Sequence, residues 1–143
     1  MSVSPEDVEA ALQEARRQLV SGDSLFAQSV CLDVLEAHPG HVDAVVLLVE
    51  AIAESWGSLT VGAARPEAYL AQVNDPAERA RLQGLLAYRR ALSMLGESVP
   101  HFVVRDWLSK AQDHFAAADG SRLDVRLRRR AVERILSANP ELG

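Results

Sequence analysis

The stretch that decides the fold runs from Gly22 to His41 and reads GDSLFAQSVCLDVLEAHPGH. It opens with a turn-forming Gly-Asp pair, closes at a Pro-Gly break, and contains enough apolar sequence between them for one helix. Gly22 permits a tight turn, the small Ala27 lets a second helix cross closely, and Pro39 stops the helix. This spacing predicts one half of an antiparallel helix pair rather than an isolated surface helix.

The segments on either side also have helical patterns. Ser4, Pro5 and an acidic first turn form a strong helix start, and apolar residues then recur at three- and four-residue intervals until Gly22. The segment from Val42 to Ser55 is apolar on most of its faces, which is typical of a helix packed between others. We therefore expect this third helix to lie at the centre of the fold.

Residues 55–74 predict an irregular connection with one short helix from Pro66 to Val73, and residues 75–140 predict three longer helices. The pair Asp75-Pro76 starts the first of them, and Ser121 to Asp124 predicts a capping box that starts the last. In that last helix the apolar row expected to face the core is Leu123, Leu127, Ala131, Ile135 and Leu136. No segment alternates with a period of two for long enough to form a strand. The predicted fold is one all-α domain over residues 1–143, either a short α-solenoid or a helical bundle.

Composition narrows the class of protein. The 143 residues are 48% hydrophobic and 24% charged, which is ordinary for a soluble globular protein. No apolar run approaches the roughly 18–20 residues of a membrane span, and the acidic N-terminus does not resemble a signal peptide. The single cysteine, Cys31, cannot form an internal disulfide. We therefore expect a cytoplasmic protein, and the preference for arginine over lysine is typical of a GC-rich, bacterial-like composition.

Charge is unevenly distributed along the chain. Residues 1–60 hold ten acidic residues against two arginines, a formal charge of −8, whereas residues 61–143 hold ten acidic and thirteen basic residues, a formal charge of +3. The two halves therefore differ in sign although the whole chain carries −5. Such an asymmetry bears on partners and solubility rather than on the fold.

Over residues 5–54 the chain resembles the tetratricopeptide repeat (TPR) family. Gly22-Asp23, Ala27 and Pro39 stand at that family's second-helix spacing, and Cys31 takes a place where the family commonly has an aromatic residue. In the following helix, the family's first-helix positions are taken by Val45, Leu48, Val49 and Ile52. The preceding helix fits the same positions only after a displacement of one residue, with Leu12, Ala15, Arg16 and Leu19. Val49 is larger than the small residue usual there, and Pro66 interrupts the next helix of the pattern. The resemblance implies about one and a half repeats.

In this family the first helix of each pair lines a concave groove that holds a peptide. The resemblance therefore implies that an acidic row on the third helix and two polar residues of the first helix line such a groove. Trp56, at the end of the third helix, is added because tryptophan is enriched in interfaces. These candidate partner-binding residues are Gln13, Arg17, Asp43, Val46, Glu50, Glu54 and Trp56. Because Glu50 takes a place where the family grips acidic C-termini with asparagine, a basic or mixed-charge segment is the expected partner. A plain solvated helix face is the alternative interpretation of the acidic row.

A second candidate surface lies in the last predicted helix. Arg122, Arg126, Arg130 and Arg134 recur at four-residue intervals and form a like-charged row. Three interpretations remain open for this row: a solvated face, docking on the acidic half of another copy, or binding of an anion such as nucleic acid. Nucleic acid is the least favoured, because the whole chain is acidic and no aromatic residues are interleaved with the arginines.

Motifs for catalysis are missing from the sequence. It contains no Gly-rich phosphate loop, GxSxG, HExxH or CxxC pattern. His38 and His41 are separated by a proline, which places them in a turn, and the sequence offers them no further metal ligands. The predicted function is a non-catalytic adaptor or scaffold that binds a protein segment and needs no cofactor or metal. The alternative is a structural or assembly protein that forms homo-oligomers through its acidic N-terminal and Arg-rich C-terminal surfaces.

Overall fold

The computed structural model describes residues 4–56 and 65–142, and over these residues the chain is all-α, which confirms the predicted fold class. No strand occurs in this part of the chain. The described helices are α1 (Pro5–Val20), α2 (Ser24–Ala37), α3 (Val42–Glu54), α4 (Pro66–Leu70), α5 (Pro76–Met94), α6 (His101–Ala117) and α7 (Leu123–Ala138), and a short 3₁₀ helix over Pro140–Leu142 follows them. None of these helices combines the length and the apolar character that crossing a bilayer requires.

The chain divides into two compact units, Met1–Asn74 and Asp75–Gly143. In the first unit, α2 packs against both α1 and α3, and α4 packs against α3. Helix α3 holds the centre of this unit, because eight of its thirteen residues are buried. Leu12, Ala27, Cys31 and Leu48 meet in its core with no exposed surface.

Local sequence signals set the ends of the helices in the first unit. Ser4 caps α1 by accepting a hydrogen bond from the backbone N–H of Asp7 at 3.2 Å, and Asp23 caps α2 in the same way from Phe26. Gly22 has a φ of +98°, in the left-handed region that glycine enters without steric cost. This confirms the predicted turn between α1 and α2, and with it the prediction that the opening stretch forms half of a helix pair.

In the second unit α5 and α6 form the main packed pair, and α7 lies against α6. Asp75 caps α5 as predicted, accepting from the N–H of Ala77 at 3.0 Å. The fully buried core residues of this unit include Ala91, Leu108 and Phe115. Gly84 of α5 makes the close approach of α6 possible, because a Cβ added there would lie 2.6 Å from two ring atoms of Phe115.

The orientation of α7 differs from the prediction. Val125 and Val132 are its buried residues, whereas Leu123 and Leu127 are 60% and 58% exposed. A helix places residues seven apart on one side, so burial of the two valines turns Leu123 and Leu127 toward solvent. The predicted core row was therefore wrong for these two leucines and right for Ile135 and Leu136, which pack against the core of the unit.

The predicted capping box at Ser121 was also wrong. Ser121 donates its N–H and its hydroxyl to Asp119, at 2.9 and 2.7 Å, and the N-cap of α7 is Arg122, which makes no side-chain cap. The N–H that Asp124 would have capped in return is thus donated to Asp119, and the carboxylate of Asp124 accepts from the Nε of Arg122 at 2.9 Å. A competing acceptor two residues before Ser121 therefore replaces the motif that the sequence spacing suggests.

Candidate functional site

A groove of the first unit lies between α1 and α2. It encloses about 660 Å³, and its floor is apolar: Val8, Ala11, Val30, Val34 and Ala37. Three acidic side chains complete the lining, namely Asp7, Asp33 and Glu36, all of them exposed. Within this lining no basic residue occurs. The groove therefore combines an apolar floor with an excess of negative charge.

The groove follows from two facing rows of residues. On α1 the lining residues Asp7 and Ala11, and on α2 the lining residues Val30, Asp33 and Ala37, recur at helical spacing. Ala11 and Ala37 are small, which leaves room between the helices where larger side chains would fill it. Phe26 is 41% exposed and lies on the same side of α2, so apolar surface continues beyond the groove toward the start of this helix.

Both predicted partner-binding residues of α1, Gln13 and Arg17, are exposed. They lie about 140–180° around the helix from the buried row of Val8, Leu12 and Ala15. Gln13 donates to Glu9, and Arg17 forms an ion pair with Glu14, its Nε at 2.9 Å from the carboxylate. Both side chains therefore project to solvent and bond along their own helix, away from the floor of the groove.

The predicted residues of α3 form one stripe on its outer side. Asp43 and Glu54 are exposed, whereas Val46 and Glu50 are half-buried. Trp56, just after α3, is half-buried and packs against the core of its unit. The seven residues predicted to line a groove thus lie on α1, on α3 and just beyond α3, and none of them lines the groove between α1 and α2.

The Arg row on α7 is shorter than predicted. Arg126, Arg130 and Arg134 are exposed, but Arg122 precedes the helix and turns its guanidinium to Asp124 and to Glu78, the latter at 3.3 Å. Because α7 presents Leu123 and Leu127 to solvent as well, the three arginines share their face with two exposed leucines. The predicted second surface is thus both basic and apolar.

Arg122 belongs to an ion cluster that joins the first turns of α5 and α7. Arg81, whose side chain is only 5% exposed, lies 2.6 Å from Glu78 and 3.4 Å from Asp124, and Arg122 pairs with the same two carboxylates. Burial by itself would raise the pKa of Asp124, but the hydrogen bond from Arg122 and the charges of Arg122 and Arg81 outweigh it and lower that pKa. The cluster therefore has a structural role in the second unit.

Cys31 lies in the core of the first unit with no exposed surface. Burial is the main reason that the pKa of its thiol rises to about 12; the charge of Arg16 partly offsets the rise and that of Glu50 adds to it. Nucleophilic and metal-binding chemistry both require the thiolate, which this environment disfavours. Cys31 therefore acts as a small apolar core residue, in agreement with the sequence-based interpretation.

We expect Cys31 to resist thiol reagents in the folded chain. With the protein at pH 8, labelling by 5,5′-dithiobis(2-nitrobenzoic acid) should be at least about 100-fold slower in buffer than in 6 M guanidinium chloride, since the buried thiol reacts only through opening. Because the folded pKa lies above that of an unfolded thiol, about 8.5, the folded state loses stability only as the pH rises beyond that value. Rapid labelling of the native protein would show that Cys31 is accessible.

His38 and His41 lie in the turn before α3, as predicted. His41 is the N-cap of α3, and its Nδ1 accepts a hydrogen bond from the N–H of Ala44 at 3.3 Å. Its imidazole therefore has a structural role. Among the residues that the structure describes, no group of three His, Cys, Asp or Glu side chains is placed to hold a metal ion.

The groove between α1 and α2 was not predicted from the sequence. The pattern that reveals it in retrospect is a second row on α2, at the side of the core row, in which Phe26, Val30 and Ala37 recur at helical spacing around Asp33. Sequence alone cannot tell whether such a row is covered by another helix. No helix among residues 4–56 and 65–142 closes the groove beside it.

In comparisons with known proteins, the chain matches no protein-family model, no curated protein and no solved structure. The resemblance to tetratricopeptide repeats therefore stays a prediction that rests on the residues quoted for it.

Proposed function

We propose that the chain is a non-catalytic helical adaptor or scaffold whose first unit binds a basic or mixed-charge segment of another protein. The observation that carries the proposal is the groove between α1 and α2, with its apolar floor and its acidic residues Asp7, Asp33 and Glu36. An amphipathic helix with apolar residues on one side and basic residues beside them is the complementary ligand. No cofactor is needed for this activity.

The acidic stripe of α3 is an alternative surface for the same activity. It contains Asp43 and Val46, and in the family resemblance it would line the peptide groove together with Gln13 and Arg17. The proposed compartment is the cytoplasm, supported by the single buried cysteine. Membrane insertion is not part of the proposal, and the net negative charge argues against nucleic acid as the partner.

The test compares capture of a partner by three forms of the full-length protein. Partners captured from the source organism by the wild type are identified, purified and titrated against the Asp33→Arg/Glu36→Arg variant and the Glu50→Lys/Glu54→Lys variant. We expect the first variant to weaken binding at least tenfold, because it places like charges beside a basic ligand. Far-ultraviolet circular dichroism should show unchanged helicity, since Asp33 and Glu36 are exposed.

The pattern of losses distinguishes the two surfaces. Loss of binding only in the Glu50→Lys/Glu54→Lys variant would move the site to the stripe of α3. Equal binding by all three forms would contradict an acidic groove as the binding surface. Turnover of a captured small molecule by the purified chain would contradict the non-catalytic function itself.

A further inference from the structure

The outward face of α7 is an amphipathic surface that the core of the described second unit leaves uncovered. Leu123 and Leu127 are one turn apart and more than half exposed. Arg126 follows Leu123 by three residues and Arg130 follows Leu127 by three, so the arginines run beside the leucines on the helix surface. Helix α7 is therefore apolar on two sides, and only one of them packs in its own unit.

This face has the chemistry that the groove between α1 and α2 requires. The groove offers an apolar floor beside Asp7, Asp33 and Glu36, and the face of α7 offers two leucines beside Arg126, Arg130 and Arg134. The groove thus carries three carboxylates and the face of α7 three guanidinium groups. Burial of leucine side chains supplies the favourable free energy, and the charges select the orientation and suppress wrong pairings.

We propose that the groove between α1 and α2 of one copy binds the outward face of α7 of a second copy. The inference rests on the proposed function, in that it uses the same groove, and it names the occupant of that groove. Nucleic acid and anionic lipid fit the arginines but leave the acidic groove without a ligand, whereas a second copy satisfies both surfaces at once.

The two surfaces are different parts of the chain, so a pair of copies can form the contact once or, with two-fold symmetry, twice. A pair that forms it once still presents one free groove and one free α7 face, and further copies can then extend it into rings or open chains. In either case the average mass should rise with protein concentration.

Charge reversal on each surface provides the experiment, with sedimentation velocity of the full-length protein as the measurement. The groove variant is Asp33→Arg/Glu36→Arg, and the helix variant is Arg130→Glu/Arg134→Glu. At about 50 mM salt the wild type should associate, and at about 500 mM salt the association should weaken at least tenfold because exposed charges are screened. Each variant alone should associate at least tenfold more weakly than the wild type, since its groove and its α7 face carry the same sign.

A one-to-one mixture of the two variants should recover association. The basic groove of the first variant fits the acidic helix of the second, and the acidic groove of the second fits the basic helix of the first. Within the wild type, Leu127→Ser should weaken association, and Phe102→Ser, which changes an exposed apolar residue of α6, is the matched control that should not. Circular dichroism of each variant verifies that the helices remain.

Three results would overturn the inference. A wild type that stays monomeric at low salt and high concentration excludes the contact between copies. The proposed function still stands in that case if the groove variant loses binding to its captured partner. A mixture of variants that stays monomeric excludes the pairing of these two surfaces. Association that survives in both single variants places the contact elsewhere on the chain.

Discussion

Phe115→Ala is expected to lower the free energy of unfolding by about 3–5 kcal/mol, among the largest effects of a single core substitution. Phe115 is 1% exposed and packs in the core of the second unit with Val104 and Leu108. Removal of the ring leaves a cavity between α5 and α6, the most extensively packed pair of helices in that unit. Urea unfolding of the full-length chain, followed by circular dichroism, measures the loss.

The close contact between Phe115 and Gly84 makes the prediction specific to this structure. In the wild type, Gly84→Ala should destabilise by about 1–2 kcal/mol, because displacement of a fully buried ring outweighs the gain of about 1 kcal/mol in helix propensity. In the Phe115→Ala background the ring is gone, so the same substitution should become stabilising. If Phe115→Ala does not fold, Phe115→Leu provides a milder background. Gly84→Ala should change from destabilising to stabilising in that background as well.

Gly120→Ala is the matched control, since an added Cβ at Gly120 meets no atom within 4 Å. Its effect should stay within about 0.5 kcal/mol. If Gly84→Ala costs the same in the wild type and in the Phe115 variants, the two positions do not interact and the close packing of α5 on α6 is contradicted.

Arg81→Met is expected to cost about 2–3 kcal/mol at pH 7. The guanidinium of Arg81 is nearly buried between Glu78 and Asp124, so its removal leaves two half-buried carboxylates with Arg122. Loss of one partner from a buried pair typically costs more than this, and partial exposure of both carboxylates reduces the effect. Arg126→Met, at an exposed position of α7, should change stability by less than about 0.5 kcal/mol.

The pH dependence separates charge from packing in this cluster. Asp124 has a lowered pKa in the folded state, so its charge stabilises the fold. This contribution to the free energy of unfolding is full above about pH 4, the ordinary pKa of an aspartate, and is lost as the pH falls through the lower folded pKa. The difference in unfolding free energy between wild type and Arg81→Met should therefore shrink in acid. A difference of equal size at pH 3 and pH 7 would assign the loss to the packed alkyl stem of Arg81 instead.

Helix ends were the part of this fold that could be predicted most closely. Ser4, Gly22 and Asp75 act within a few residues of their own positions, through a side-chain cap or a permitted backbone angle, and each ends or begins a helix where expected. The mostly apolar character of α3 likewise predicted a central place, which it has within its own unit, because a helix that is apolar on most faces has to be covered on most sides.

Predictions about faces and sites were less reliable. In α7 both Leu127 and Val125 are apolar, and only the packing against α6 decides that the valine is buried and the leucine exposed. The capping box at Ser121 was wrong because Ser121 donates to Asp119 instead, while Asp124 belongs to an ion cluster with Arg81, 43 residues away. Sequence spacing contains no information about such competitors.

By itself the sequence determined the helices, their turns and the opposite charge of the two halves, because these depend on neighbours along the chain and on composition. Tertiary structure alone decided that the floor between α1 and α2 stays open, that Arg122 leaves the basic row, and that α7 turns two leucines outward. The physical reason is that burial is a property of surroundings: an apolar or charged side chain acquires its role only when the chain brings, or fails to bring, another element against it.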